Sequence, residues 1–86
     1  MIDELLLADG FGAAFIGVSH RFGFDHPVAT YDIDKCIEIL IQDGMDREEA
    51  EEYFEFNTLG AWVGEMTPVF VEVMPLKELR DEWKEA

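Results

Sequence analysis

Between Asp32 and Asn57 the chain spells two amphipathic helices separated by the tight break Asp43-Gly44-Met45, and this pair limits the folds open to it. Ile33, Ile37, Leu40 and Ile41 recur at i, i+4, i+7 and i+8, one face of a 3.6-residue period, which predicts a helix over 33–43. Asp32 or Asp34 suits its N-cap, and Gly44 suits the left-handed residue just past its end. Ile39 falls on the opposite side from the stripe, so a second element or a partner must cover it. The second helix opens at Asp46, which has capping-box spacing to Glu49 although the usual first residue is Ser or Thr. Its predicted inner face is Ala50, Tyr53, Phe54 and Asn57. Glu48, Glu52 and Glu55 lie opposite, with Glu49 and Glu51 on the flanks. Phe56 lies off the inner stripe and is a candidate exposed aromatic.

The segments on either side supply strands. Asp3 can cap a helix containing Leu5, Leu6, Leu7 and Ala8, although three successive leucines equally suit a buried strand; the expectation is the helix. Asp9-Gly10-Phe11-Gly12 is a turn. Residues 13–22 alternate as a strand, with Ala14, Ile16, Val18 and His20 on one face and Phe15, Gly17 and Ser19 on the other. A loop over 23–27 returns the chain into a strand over 28–31. Past a break at Thr58 to Gly60, residues 61–64 and 69–74 read as two more strands joined across Glu65-Met66-Thr67-Pro68. Pro75 then starts a last amphipathic helix with Leu76, Leu79 and Trp83 on one side. The expected fold is α+β: one compact domain in which a small antiparallel sheet of three to four strands packs against a helical hairpin and a short C-terminal helix.

The 86 residues suffice for one domain with a modest core, and 49% hydrophobic content is that of a folded globule. The outlying quantity is charge: twenty Asp and Glu against six Lys and Arg give a formal −14. Such a charge repels nucleic acid and anionic membranes and attracts basic partners; it also keeps a small protein soluble with no further role. Cys36 is the one cysteine, so no internal disulfide forms. The acidic start Met1-Ile2-Asp3-Glu4 lacks the basic opening of a signal peptide, and no apolar run has the length of a membrane span. The expected location is the cytoplasm.

Chemical motifs are weak. The glycines at 10, 12 and 17 fit neither a dinucleotide loop nor a P-loop. His20, Asp25 and His26 match no standard zinc spacing and fit a surface hydrogen-bonded pair better. Asp32 and Asp34 open like a calcium loop, but the glycine and later ligands are missing. Cys36, with His20 or His26 as base, sits beside a buried stripe where cysteine behaves as a small apolar residue. Trp62 and Trp83 are most simply core or half-buried packing. The expectation is a protein that is not an enzyme and carries neither cofactor nor metal. A DNA-reading helix-turn-helix fails on charge, because six carboxylates between Asp46 and Glu55 would face phosphates. The inverse fits better. Glu48, Glu51, Glu52 and Glu55 form a ladder of negative charge at roughly 5–6 Å intervals, extended by Asp43 and Asp46, that can occupy a basic groove built for nucleic acid.

Several patches resemble a family of small proteins encoded by phages and prophages. They are Tyr31-Asp32 with Lys35, Asp43-Gly44-Met45 followed by Glu48-Glu49-Ala50, Glu55-Phe56-Asn57, and Gly60-Ala61-Trp62-Val63-Gly64-Glu65 with Thr67-Pro68. The likeness runs from Tyr31 to Pro68 and brings no catalytic residues. It implies a mobile-element product acting inside a bacterium. Small acidic phage proteins include anti-restriction and anti-CRISPR inhibitors of host defence, some of which mimic nucleic acid. The expected partner is a basic nucleic-acid-binding host protein, engaged through Asp43, Asp46, Glu48, Glu51, Glu52 and Glu55, with Ile39 and Phe56 as apolar anchors. The alternative is an assembly role through a homo-oligomer interface at Ile39, Phe56 or the Trp83 helix.

Overall fold

The computed structural model describes residues 5–23 and 25–82. A short 3-10 turn, Gly12–Ala14, leads into β1 (Phe15–Ser19) and β2 (Val28–Asp32). Helices α1 (Ile33–Gln42) and α2 (Arg47–Phe54) come next, and α2 runs on as a π-helical turn, Glu55–Leu59. Strand β3 (Val69–Val71) and helix α3 (Leu76–Glu82) complete the order. The fold is α+β, with a three-stranded sheet in the order β1-β2-β3. The suggested cap Asp3, and Trp83 on the last helix, lie outside the described residues.

The sheet is mixed, which corrects the antiparallel expectation. β1 pairs antiparallel with β2, but β2 pairs parallel with β3, Tyr31 lying opposite Phe70. β2 and β3 are joined through α1, α2 and the π turn, a connection long enough to carry the chain back to the same end of the sheet, as a parallel pair requires. The second expected hairpin is absent because residues 61–64 form no strand. Gly64 turns with φ +103°, and the Thr67 hydroxyl accepts from Val63 N at 2.9 Å while donating to Gly64 O at 2.6 Å. Those bonds hold the segment as a turn.

The expected leucine helix is also absent. Residues 5–8 form an irregular strap, pinned where Ala8 N donates to the Tyr31 hydroxyl at 2.8 Å. In β1 the register shifts between Phe15 and Gly17, leaving Ile16 as the extra residue of a bulge. The strict alternation read from the sequence therefore fails there, and both Phe15 and Ile16 are partly exposed.

The core is Phe11, Ala14, Ala29, Tyr31, Cys36, Ile37, Leu40, Ala50 and Phe54. A run of ring contacts ties its layers together. Phe15 meets Tyr31 at 5.7 Å, Tyr31 stacks on Phe70 at 5.5 Å, Phe70 meets Phe54 at 5.3 Å, and Phe54 meets Phe11 at 6.2 Å. Each strand, α2 and the turn after the strap thus contribute one or more rings to a continuous aromatic spine. Helix α3 adds little. Leu76 and Leu79 give its seven residues too narrow an apolar stripe, and both stay exposed.

Candidate partner-binding surface

Helix α1 ends as the sequence predicts. Asp32 caps its start, accepting from Lys35 N at 3.3 Å. At its end Met45 N donates to Leu40 O at 3.2 Å and Gly44 N to Ile41 O at 3.0 Å, with Gly44 at φ +115°. These are the two bonds of a Schellman ending, and Met45 packs against the core cluster to seal it. The chain reverses there and Asp46 begins α2 with a complete capping box. Glu49 N donates to Asp46 Oδ1 at 2.8 Å, and Asp46 N donates to Glu49 Oε1 at 3.4 Å. Ala50 and Phe54, four apart, are buried and fix which side of α2 faces inward.

Glu48, Glu51, Glu52 and Glu55 are all exposed, as are Asp43 and Asp46 at the turn. Arg47 is the lone base of the segment and pairs with Glu51 at 3.2 Å, both side chains more than half exposed. An open pair of this kind contributes a few tenths of a kcal/mol and partly neutralises one rung. Asp46 keeps its carboxylate engaged with Glu49 N, so its charge is fixed in place. Glu48, Glu52 and Glu55 hold the stretch that faces solvent.

The apolar candidates separate. Ile39 is half-buried and packs against the core, so part of its covering comes from the protein itself. Phe56 is 77% exposed. Tyr53 and Asn57, expected on the inner face, are exposed. For Asn57 the reason is the π turn, whose wider i→i+5 spacing shifts it off the α-helical stripe; Tyr53 lies within α2 itself, beside the narrow buried stripe of Ala50 and Phe54. Asn57 instead donates from Nδ2 to Tyr53 O at 3.2 Å. Trp62, read from the sequence as packing, is 74% exposed and Val63 is 59% exposed. The sequence carried one signal for this: the break at Thr58 to Gly60 removes the periodicity that would assign Trp62 to a buried face.

Beside the π turn runs an apolar groove of about 270 Å³, walled by Leu6, Leu7, Phe11, Ala61, Val63 and Phe70, with Asp9, Asn57 and Thr67 among its polar groups. Sequence reasoning missed it because its walls come from segments far apart in the chain.

The remaining chemical candidates stay apart. Among the described residues no three or more His, Cys, Asp or Glu side chains are grouped as a metal set, so His20, Asp25 and His26 do not assemble one. Cys36 is fully buried. Desolvation first, and the Asp32 carboxylate second, push its thiol up to about 11, which keeps it protonated and unreactive at neutral pH. Among the described residues no helix is long and apolar enough to cross a membrane.

No family model matches the chain, and neither a curated protein nor a solved structure matches it.

Proposed function

We propose that this protein is a phage-type inhibitor of a host defence nucleoprotein complex, anti-CRISPR-like in action, that lays the acidic face of α2 into a basic site meant for nucleic acid. The observation that carries the proposal is the exposed set Glu48, Glu51 and Glu52 on α2, whose opposite side is locked into the core by Ala50 and Phe54, with Asp43 at the end of α1, Asp46 at the α2 N-cap and Glu55 at the start of the π turn also exposed. Neighbours three or four apart on an α-helix stand roughly 5–6 Å apart, so Glu48, Glu51 and Glu52 offer closely spaced negative charge on a rigid support. A rigid row loses little freedom on binding, which distinguishes it from a disordered acidic tail. The formal charge of −14 adds long-range attraction toward a basic surface and repulsion from nucleic acid itself. The mechanism is occupancy: no bond is made or broken, and the host protein loses access to its own ligand.

The test is capture of partners from a bacterial host lysate, with and without nuclease, by the wild type and by a Glu48→Lys, Glu52→Lys, Glu55→Lys variant. The expected result is a basic protein retained after nuclease, released by salt as the Debye length falls below about 8 Å, displaced by DNA or RNA, and lost in the variant. Capture that survives the triple reversal would sink the proposal.

A second reading is an assembly protein working through a homo-oligomer interface. The exposure of Phe56 and Trp62 favours it, since large aromatics cluster at interfaces. Sedimentation across a concentration series separates the two, and a strict monomer removes this second reading.

A further inference from the structure

The apolar groove beside the π turn is a separate feature from the acidic row. Its volume, about 270 Å³, lies below the roughly 300–1,000 Å³ of sites that enclose a small-molecule ligand or cofactor. It has room for one large side chain. Its walls are apolar, and Leu7 and Val63 are each 59% exposed at its edge. Trp62 stands between the lining residues Ala61 and Val63, and Phe56 immediately precedes the lining residue Asn57. Exposed apolar residues such as Leu7 and Val63 lining a concave apolar site mark an interaction surface.

Charge decides which partner fits. Among the described residues lining the groove, Asp9 is the one ionisable side chain, and Asp9 is exposed. A second copy would bring another −14 toward Asp9 and a protein of the same charge, and an acidic protein would meet the same repulsion. We infer that the groove is a socket for a single bulky aliphatic or aromatic side chain of a basic protein segment, whose flanking Lys and Arg face Asp9 and the surface of a protein with a formal charge of −14. The inference rests on the reading that the natural partner is basic, and it adds what the acidic row cannot supply. A charge ladder attracts every basic surface, whereas a socket of fixed size and shape selects among them.

Short Lys/Arg-rich synthetic peptides provide the probe, identical except for a central Leu, Phe, Trp or Ala. Fluorescence anisotropy measures their binding to the wild type, to Ala61→Trp, which fills the groove from an exposed position, and to Val63→Ser, which strips one wall. The bulky-centred peptides should bind tighter than the Ala-centred one by on the order of tenfold or more. That preference should vanish in Ala61→Trp and shrink in Val63→Ser. Amide shifts in the ¹⁵N-labelled wild type should gather at Leu7, Ala61, Val63 and Phe70 only when the bulky residue is present. Equal binding of all peptides, no binding of any, or a preference that survives both substitutions overturns the socket. So does equal binding of a Glu-rich peptide with the same central Trp. The Glu48→Lys, Glu52→Lys, Glu55→Lys variant keeps the two proposals distinguishable. A preference retained there with unchanged overall affinity keeps the socket and removes the acidic face, while a lost preference with a steep salt dependence in the wild type does the reverse.

Discussion

Arg47–Phe54 and Glu55–Val63 are consecutive along the chain, yet they solve opposite problems. The first is an α-helix with a full capping box, two buried residues four apart and a charged outer side. The second begins as a π turn, buries none of its own five helical residues, and ends with Trp62 and Val63 in solvent. Phe54 is the boundary between them. Its ring touches both Phe11 and Phe70, so the aromatic spine anchors the last residue of α2 and leaves the residues beyond it free to serve as surface. A segment whose side chains are used for packing cannot also vary to suit a partner. The contrast therefore separates residues that hold the fold from residues available for recognition.

The sharpest way to break the contrast is at the boundary. Phe54→Ala removes a 2% exposed ring and should cost about 3–5 kcal/mol, close to the whole stability of a small domain. Urea unfolding monitored by circular dichroism should show a largely unfolded chain near neutral pH; a cooperative transition within 1 kcal/mol of wild type, on the order of a surface substitution, would mean the spine is not the anchor.

The α1 side should show a dependence on alkaline pH. The Cys36 thiol is raised from 9.0 to about 11 in the folded protein. Above its unfolded value the unfolded chain releases the proton and the folded one keeps it, so the unfolded state is favoured and stability falls as pH rises from 9 toward 11. The loss is of order 2 kcal/mol at about 1.36 kcal/mol per unit. A Cys36→Ala variant should lose this slope, as read from unfolding midpoints across that range, while carrying a constant packing cost. An identical slope in the variant would remove Cys36 as its source.

Asp46→Ala should cost about 1 kcal/mol by opening the capping box. Hydrogen exchange should quicken in the first turn of α2 more than at Phe54. The smallest effect belongs to the other region: Trp62→Ala should change stability by no more than about 0.5 kcal/mol. A cost above 1 kcal/mol, roughly that of a lost cap, would show Trp62 to be structural and erase the contrast.

Local chemistry was legible wherever it closed over a few residues. The capping aspartates, the Gly44 reversal and the Ala50–Phe54 stripe all arise from contacts within one or two turns. The carboxylate row was legible for the same reason, since charge on a capped helix has few places to go but outward. Asn57 was misplaced because an α-helical period was extended across a segment that winds with a different one, and Tyr53 because the buried stripe of α2 is narrowed to Ala50 and Phe54.

The sequence by itself determined the helical pair, its caps, the acidic side of α2 and the α+β class, because each depends on spacing and on residue type. Only the tertiary structure decided the parallel pairing of β2 with β3, the strap held by the Tyr31 hydroxyl, the exposure of Trp62 and the apolar groove. These depend on which distant segments meet, and that is settled by how the aromatic spine packs: Tyr31 stacks on Phe70 across the parallel pair, and Phe54 closes on Phe70 and Phe11 to complete it.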